Sequence, residues 1–215
     1  MRSHFFRHVN GRPHWAQIFV GRSAFFNIFV IFRLYHFNTE KCREPDSVLT
    51  AKTMPINLLF LCTGNSARSL IAEGVLRQLG GKAFNAFSAG SHPTGKPNPH
   101  AIAVLRQHDI DTGFARSKSW DEFAGSDAPQ LDLIITVCDN AAGETCPIWP
   151  GRPATAHWGL PDPAAVDGPQ QAITAAFLAT YDELARRITY LLEHRPDIIN
   201  IGTLAKQMTS HELTK

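Results

Sequence analysis

The stretch Leu59–Gly74, LFLCTGNSARSLIAEG, decides how this chain is read. It closes an unbroken apolar run, INLLFLC (56–62), of the kind a parallel strand buried on both faces requires. It then opens ARSLIAEGVLRQLG, in which Leu70, Ile71, Val75, Leu76 and Leu79 share one helical face and Gly80-Gly81 supplies the stop. Between strand and helix lies CTGNSAR. A strand-to-helix turn aims successive backbone N–H groups at one point, and the helix adds its positive end, so an oxyanion belongs there. Gly64 and Asn65 suit positions of positive φ. Arg68 offers a planar fork that matches two oxygens of a tetrahedral anion. The same donors should hold Cys62 largely as thiolate near neutrality, an attacking nucleophile to which Ser69 donates a hydrogen bond. The plainer reading, a buried core thiol ending a strand, does not account for Gly, Asn, Ser, Arg and Ser at these offsets.

Outward from this stretch, strand and helix alternate. FNAFSAG (84–90) reads as a second strand, LDLIITVC (131–138) as a third and ATAHW (154–158) as a short fourth. Asn98 is placed to N-cap a helix whose first residue is Pro99. Gln170–Glu193 carries Ile173, Phe177, Tyr181, Leu184, Ile188 and Leu191, an amphipathic helix by spacing, and one more short helix is expected in the tail 198–215. The pattern implies an α/β fold, a single domain built on a four-stranded parallel sheet with helices on both faces and its ligand site at the carboxyl ends of the strands. Cys62 and Cys138 both fall at such ends.

At 215 residues the chain is long enough for one well-buried domain, expected over 54–197. Residues 1–53 read differently, rich in Phe, Arg and His without sustained periodicity, and are expected to be a poorly ordered or mis-assigned extension ahead of Met54. A membrane-surface anchor is the alternative there, although no clean amphipathic face emerges. The apolar run 24–32 falls well short of the ~20 residues that span a bilayer. A net charge of +2 with scattered basic residues gives no nucleic-acid stripe, and no helix-turn-helix is evident. Four cysteines, Cys42, Cys62, Cys138 and Cys146, without a secretory pattern suit a reducing cytoplasm. They lack the paired C-x2-C spacing of zinc or iron–sulfur sites, so no metal and no cofactor is expected.

The string FLCTGNSARS…AEG, with Cys62-x5-Arg68-Ser69 at its heart, resembles the anion loop of the low-molecular-weight protein tyrosine phosphatases, and in its fuller form that of the thiol-relay, thioredoxin-coupled arsenate reductases sharing their fold. The resemblance implies a phosphatase I-like architecture, with arsenate held by Thr63, Gly64, Asn65, Ser66, Ala67, Arg68 and Ser69. It implies that Cys62 attacks arsenate, that Cys138 attacks the adduct to release arsenite, and that Cys146 resolves the Cys62–Cys138 disulfide. The final disulfide then passes to thioredoxin, or to glutaredoxin and glutathione. Asp162, in HWGLPDPA (157–164), would protonate the departing oxygen. Arsenic detoxification by a cytoplasmic monomer, binding neither nucleic acid nor membrane, follows as the expected role. The competing expectation is a phosphatase hydrolysing phosphomonoesters through Cys62, and a third is a non-catalytic oxyanion sensor.

Three departures from the family pattern bear on this. Ala164 stands where the tyrosine phosphatases typically place an aromatic against the substrate ring, which favours a small inorganic substrate. Ala67 stands where several thioredoxin-coupled relatives carry an additional cysteine outside the relay. Some relatives bind potassium behind the loop through an asparagine, a glutamate, a serine and an aspartate. Asn65, Glu73 and Ser88 match the first three, and Lys118 falls at the fourth. The expectation is that the Lys118 ammonium occupies the cation position, paired with Glu73; the alternative is an ordinary surface lysine.

Overall fold

The computed structural model describes residues 54–143, 147–194 and 200–208. The expected extension 1–53, Cys42 and Cys146 lie outside the described residues. Four parallel strands, β1 (Ile56–Cys62), β2 (Phe84–Gly90), β3 (Leu133–Thr136) and β4 (Ala154–His157), form one sheet in the order β2-β1-β3-β4. The connection from β1 runs outward to β2, and the chain then returns past β1 to β3. That reversal leaves a crevice beyond the carboxyl ends of β1 and β3, the place where open α/β sheets bind ligands.

Alternation along β1 divides two cores. Leu58, Phe60 and Cys62 face a large cluster shared with α1 (Arg68–Gly80), α2 (Pro99–Gln107), α4 (Gln170–Glu193) and α5 (Ile201–Gln207). Leu59 and Leu61 face a smaller cluster with Ile134, closed by Phe123 of the 3₁₀ helix Trp120–Phe123 and by Leu131. Both faces are therefore covered, with α-helices on one side and a 3₁₀ helix with irregular chain on the other. Helix α1 is buried from Ser69 to Leu76, and a Cβ at Gly74 would stand 2.7 Å from Leu105, so glycine permits the close approach of α2. Leu79 lies beyond that buried stretch and is 46% exposed, unlike the other residues of its expected face. Asn98 caps α2 by accepting the His100 N–H at 2.9 Å, with Pro99 at the first helical position.

β3 is shorter than the apolar run 131–138 suggests. At one end the Asp132 carboxylate accepts the Asn57 N–H at 2.8 Å in place of a backbone partner. At the other, the chain leaves β3 after Thr136 and enters the short helix α3 (Asp139–Gly143). Trp158 follows β4, fully buried, its indole N–H donating to the Ala205 carbonyl at 2.8 Å and so tying α5 to the sheet.

Candidate active site

The turn from β1 into α1 is a cradle because four of its carbonyls are drawn outward. Segment 91–98 donates Ser91 N–H to the Cys62 carbonyl (3.3 Å), His92 N–H to Thr63 (2.9 Å), Thr94 N–H to Gly64 (3.0 Å) and Asn98 N–H to Ser66 (2.8 Å). With the carbonyls so engaged, the N–H groups are left to the inner side. Ala67, the N-cap of α1, provides no side-chain hydrogen bond, so the first amides of the helix also stay open to an anion. Asn65 adopts φ +41°, the region that asparagine tolerates better than most residues. Gly64, also expected there, does not; a Cβ on it would instead crowd the Thr94 methyl at 3.2 Å. Gly90 has the severest requirement, since a Cβ would lie 2.5 Å from the Thr63 carbonyl oxygen and 2.9 Å from the Asn65 nitrogen.

Cys62 is 4% exposed, with Sγ accepting the Asn65 N–H at 3.1 Å and lying 2.9 Å from the Ser69 hydroxyl. Behind the loop, the Asn65 amide donates to Ser69 and to Ser88, both at 2.9 Å, while its oxygen accepts the Lys118 N–H at 2.8 Å. Ser88 donates to Glu73, which is 1% exposed and shares its two oxygens between Arg77 at 3.0 Å and the Lys118 ammonium at 3.3 Å. Lys118 is buried and also reaches Ser88 and the Arg116 carbonyl, both at 3.4 Å. Burial pulls its ammonium below the usual lysine value, with Glu73 opposing. Asn65, Glu73, Ser88 and Lys118, separated in sequence, thus meet in one buried network.

The thiolate expected at Cys62 is not what this arrangement favours. Burial pushes the thiol up, the neighbouring Cys138 adds to the rise, and the Ser69 hydroxyl and Asn65 N–H oppose it. The cation expected to offset burial is engaged elsewhere: Arg68 donates to the Leu160 carbonyl at 2.9 Å and pairs with Asp162 at 3.0 Å. Asp162 in turn accepts the Ala164 N–H at 3.1 Å, which fixes the loop after β4 over the cradle. Cys138, 2% exposed, has its sulfur 3.6 Å from the Thr63 hydroxyl. Cys62, Arg68, Asp162 and Cys138 are therefore gathered at the carboxyl end of the sheet. Among the described residues no cluster of His, Cys, Asp or Glu is arranged to hold a metal.

Nothing in the sequence marks segment 91–97, Gly90 or Ser117 as part of the site, although the Ser117 hydroxyl donates to the Gly64 carbonyl at 3.1 Å. The Pro and Gly content of 91–98 signals a loop, but nothing in it signals which carbonyls the loop would engage.

A phosphatase-like α/β sheet with a Cys-x5-Arg cradle at the end of its first strand is the class that fold and site define. The chain belongs to the low molecular weight phosphotyrosine protein phosphatase family, whose model matches residues 57–207. Among curated proteins it is 38% identical to an arsenate reductase of Bacillus licheniformis over 136 residues, 63% of this chain and 94% of that one. It is 35% identical to an arsenate reductase of Bacillus subtilis over 136 residues, with the same shares. Among solved structures it is similar to a low molecular weight protein tyrosine phosphatase from T. tengcongensis (TM-score 0.52, 25% identity, covering 65% of this chain and 99% of that one). Among the described residues no helix is long and apolar enough to cross a membrane.

Proposed function

We propose that this protein reduces arsenate to arsenite through Cys62, Cys138 and Cys146. The observation that carries the proposal is the meeting of two free thiols at the crevice, Cys62 in the cradle and Cys138 against the Thr63 hydroxyl of the same loop. Hydrolysis of a phosphomonoester would need only the first. The curated arsenate reductases that align with the chain over nearly their full length support the same substrate.

The oxyanion sits on the loop amides 63–69 and takes the Arg68 fork. Asp162 loses its guanidinium partner in that exchange and becomes free to carry a proton to the departing oxygen. Cys62 Sγ, its proton released as the anion and Arg68 converge on it, bonds to arsenic while one oxygen leaves as water. Cys138 then attacks Cys62 Sγ. The S–S bond forms, the S–As bond breaks with its electron pair remaining on arsenic, and As(V) departs as arsenite. Cys146 attacks Cys138, frees Cys62, and leaves a Cys138–Cys146 disulfide for an external dithiol reductant of the thioredoxin or glutaredoxin type. Behind the loop the Lys118 ammonium takes the place of a monovalent cation against Glu73, and the setting is a reducing cytoplasm with arsenic detoxification as the outcome.

The test is arsenite release and thiol consumption by wild type, Cys138→Ser and Cys146→Ser. Cys138→Ser should stop release, and Cys146→Ser should stop the enzyme after one turnover. Sustained wild-type rates in both variants would refute the relay. A second reading, phosphomonoester hydrolysis through a Cys62 phosphocysteine, is favoured by the phosphatase family match and by the Arg68–Asp162 arrangement. It predicts p-nitrophenyl phosphate turnover that neither substitution impairs.

A further inference from the structure

Outside the cradle, three polar side chains from three separate elements meet beside Cys138. His157, the last residue of β4, places Nδ1 2.7 Å from the Thr136 hydroxyl at the end of β3 and Nε2 3.0 Å from Asp139 Oδ1 at the start of α3. A carboxylate only accepts, so Nε2 carries the proton given to Asp139, and in the neutral ring Nδ1 takes the Thr136 hydroxyl proton. The ring is thereby oriented by the sheet and offers its donor to the residue that directly follows Cys138. Asp139 is 88% exposed and begins a helix of five residues, so little else holds that side chain. Gly159 leaves the space in which the pair forms: a Cβ there would stand 2.6 Å from Asp139 Oδ1 and 2.8 Å from His157 Nε2.

We propose that His157 is a positioning residue that latches Asp139 to the sheet and so keeps the Cys138 thiol seated against the cradle. The inference rests on the relay reading for its purpose. Cys138 must lie beside Cys62 to attack it. A solvent-exposed imidazole–carboxylate contact is weak on its own, but with the ring fixed by Thr136 it is directional enough to hold the residue that follows Cys138.

The experiment uses the full chain, reduced, with His157→Ala, Asp139→Ala, Gly159→Ala and Asp139→Asn. Gly159→Ala removes neither partner but wedges them apart, and Asp139→Asn keeps the accepting oxygen. Iodoacetamide labelling followed by peptide mapping reads Cys62 and Cys138 separately. In the first three variants Cys138 should label about fivefold faster and Cys62 within about twofold of wild type, with Asp139→Asn near wild type, as expected for loss of one exposed contact. Single-turnover arsenite release should slow in the same three variants. Unchanged Cys138 labelling in all three would overturn the latch, as would Cys62 accelerating in parallel, which reports general loosening. Failure of the relay shows elsewhere: a Cys138→Ser protein releasing arsenite at the wild-type rate would refute that reading and leave the labelling result intact.

Discussion

Replacing Lys118 by methionine removes a buried ammonium and keeps most of its stem. Its side chain is 7% exposed and sits 3.3 Å from Glu73, itself 1% exposed. At an effective dielectric of about 20, attraction across that distance is about 5 kcal/mol before desolvation is charged against it. Desolvation is large here, since burial lowers the ammonium's pKa despite the carboxylate beside it. Stranding a buried partner wholly unpaired costs about 3–5 kcal/mol. Glu73 would keep Arg77 at 3.0 Å and the Ser88 hydroxyl, so the loss should be smaller. The expected cost is about 2–3 kcal/mol, or about 5–10 °C in Tm for a domain of this size. Urea unfolding at constant m-value measures it. Lys118→Ala opens the same place to an ion. If the ammonium does a cation's work, 100 mM potassium should restore about 1.4 kcal/mol to that variant for a site of about 10 mM affinity, and sodium should restore less. Unfolding of Lys118→Met within about 0.5 kcal/mol of wild type would refute a stabilising buried pair, and a potassium gain in wild type equal to that of Lys118→Ala would refute the cation role.

Three further outcomes are expected. Gly90→Ala should cost more than about 3 kcal/mol, because its Cβ meets backbone atoms of Thr63 and Asn65 that have no rotamer to escape into; a loss under about 1 kcal/mol in denaturant would refute that placement. On the proposed acid role, Asp162→Ala should lower kcat for arsenate about 10²–10³-fold, and steady-state kinetics showing only a KM change would exclude that role. Iodoacetamide labelling of Cys62 against pH should have its midpoint above that of a free cysteine, because burial favours the thiol. The linked stability has a definite sign: a raised folded-state pKa means the contribution from Cys62 is complete below the unfolded value and is lost as pH rises through the folded one, so wild type should lose ground to Cys62→Ser on the alkaline side. A labelling midpoint near or below neutrality would contradict this.

The signals readable from the chain were those carried by neighbouring residues. Strand, turn and helix around Cys62 are local, as are the Asn98-Pro99 helix start and the apolar spacing of Gln170–Glu193, and each depends on periodicity or capping within a few residues. No local rule joins Lys118 to Glu73, since 45 residues separate them, and only the family resemblance points to that pair. Other features arise from packing alone. Which carbonyls segment 91–98 would engage, why Gly90 must lack a side chain, and where β3 ends against Asp132 all depend on chains brought together by the sheet. The ionisation of Cys62 depends on them too: residue types in the loop argued for a thiolate, whereas burial and the engagement of Arg68 by Asp162, 94 positions away, favour the thiol. Sequence order dictates which groups are present and what local turn they make. Distance, burial and competition for a shared partner set their chemical state, and these exist only once β1 and β3 lie side by side.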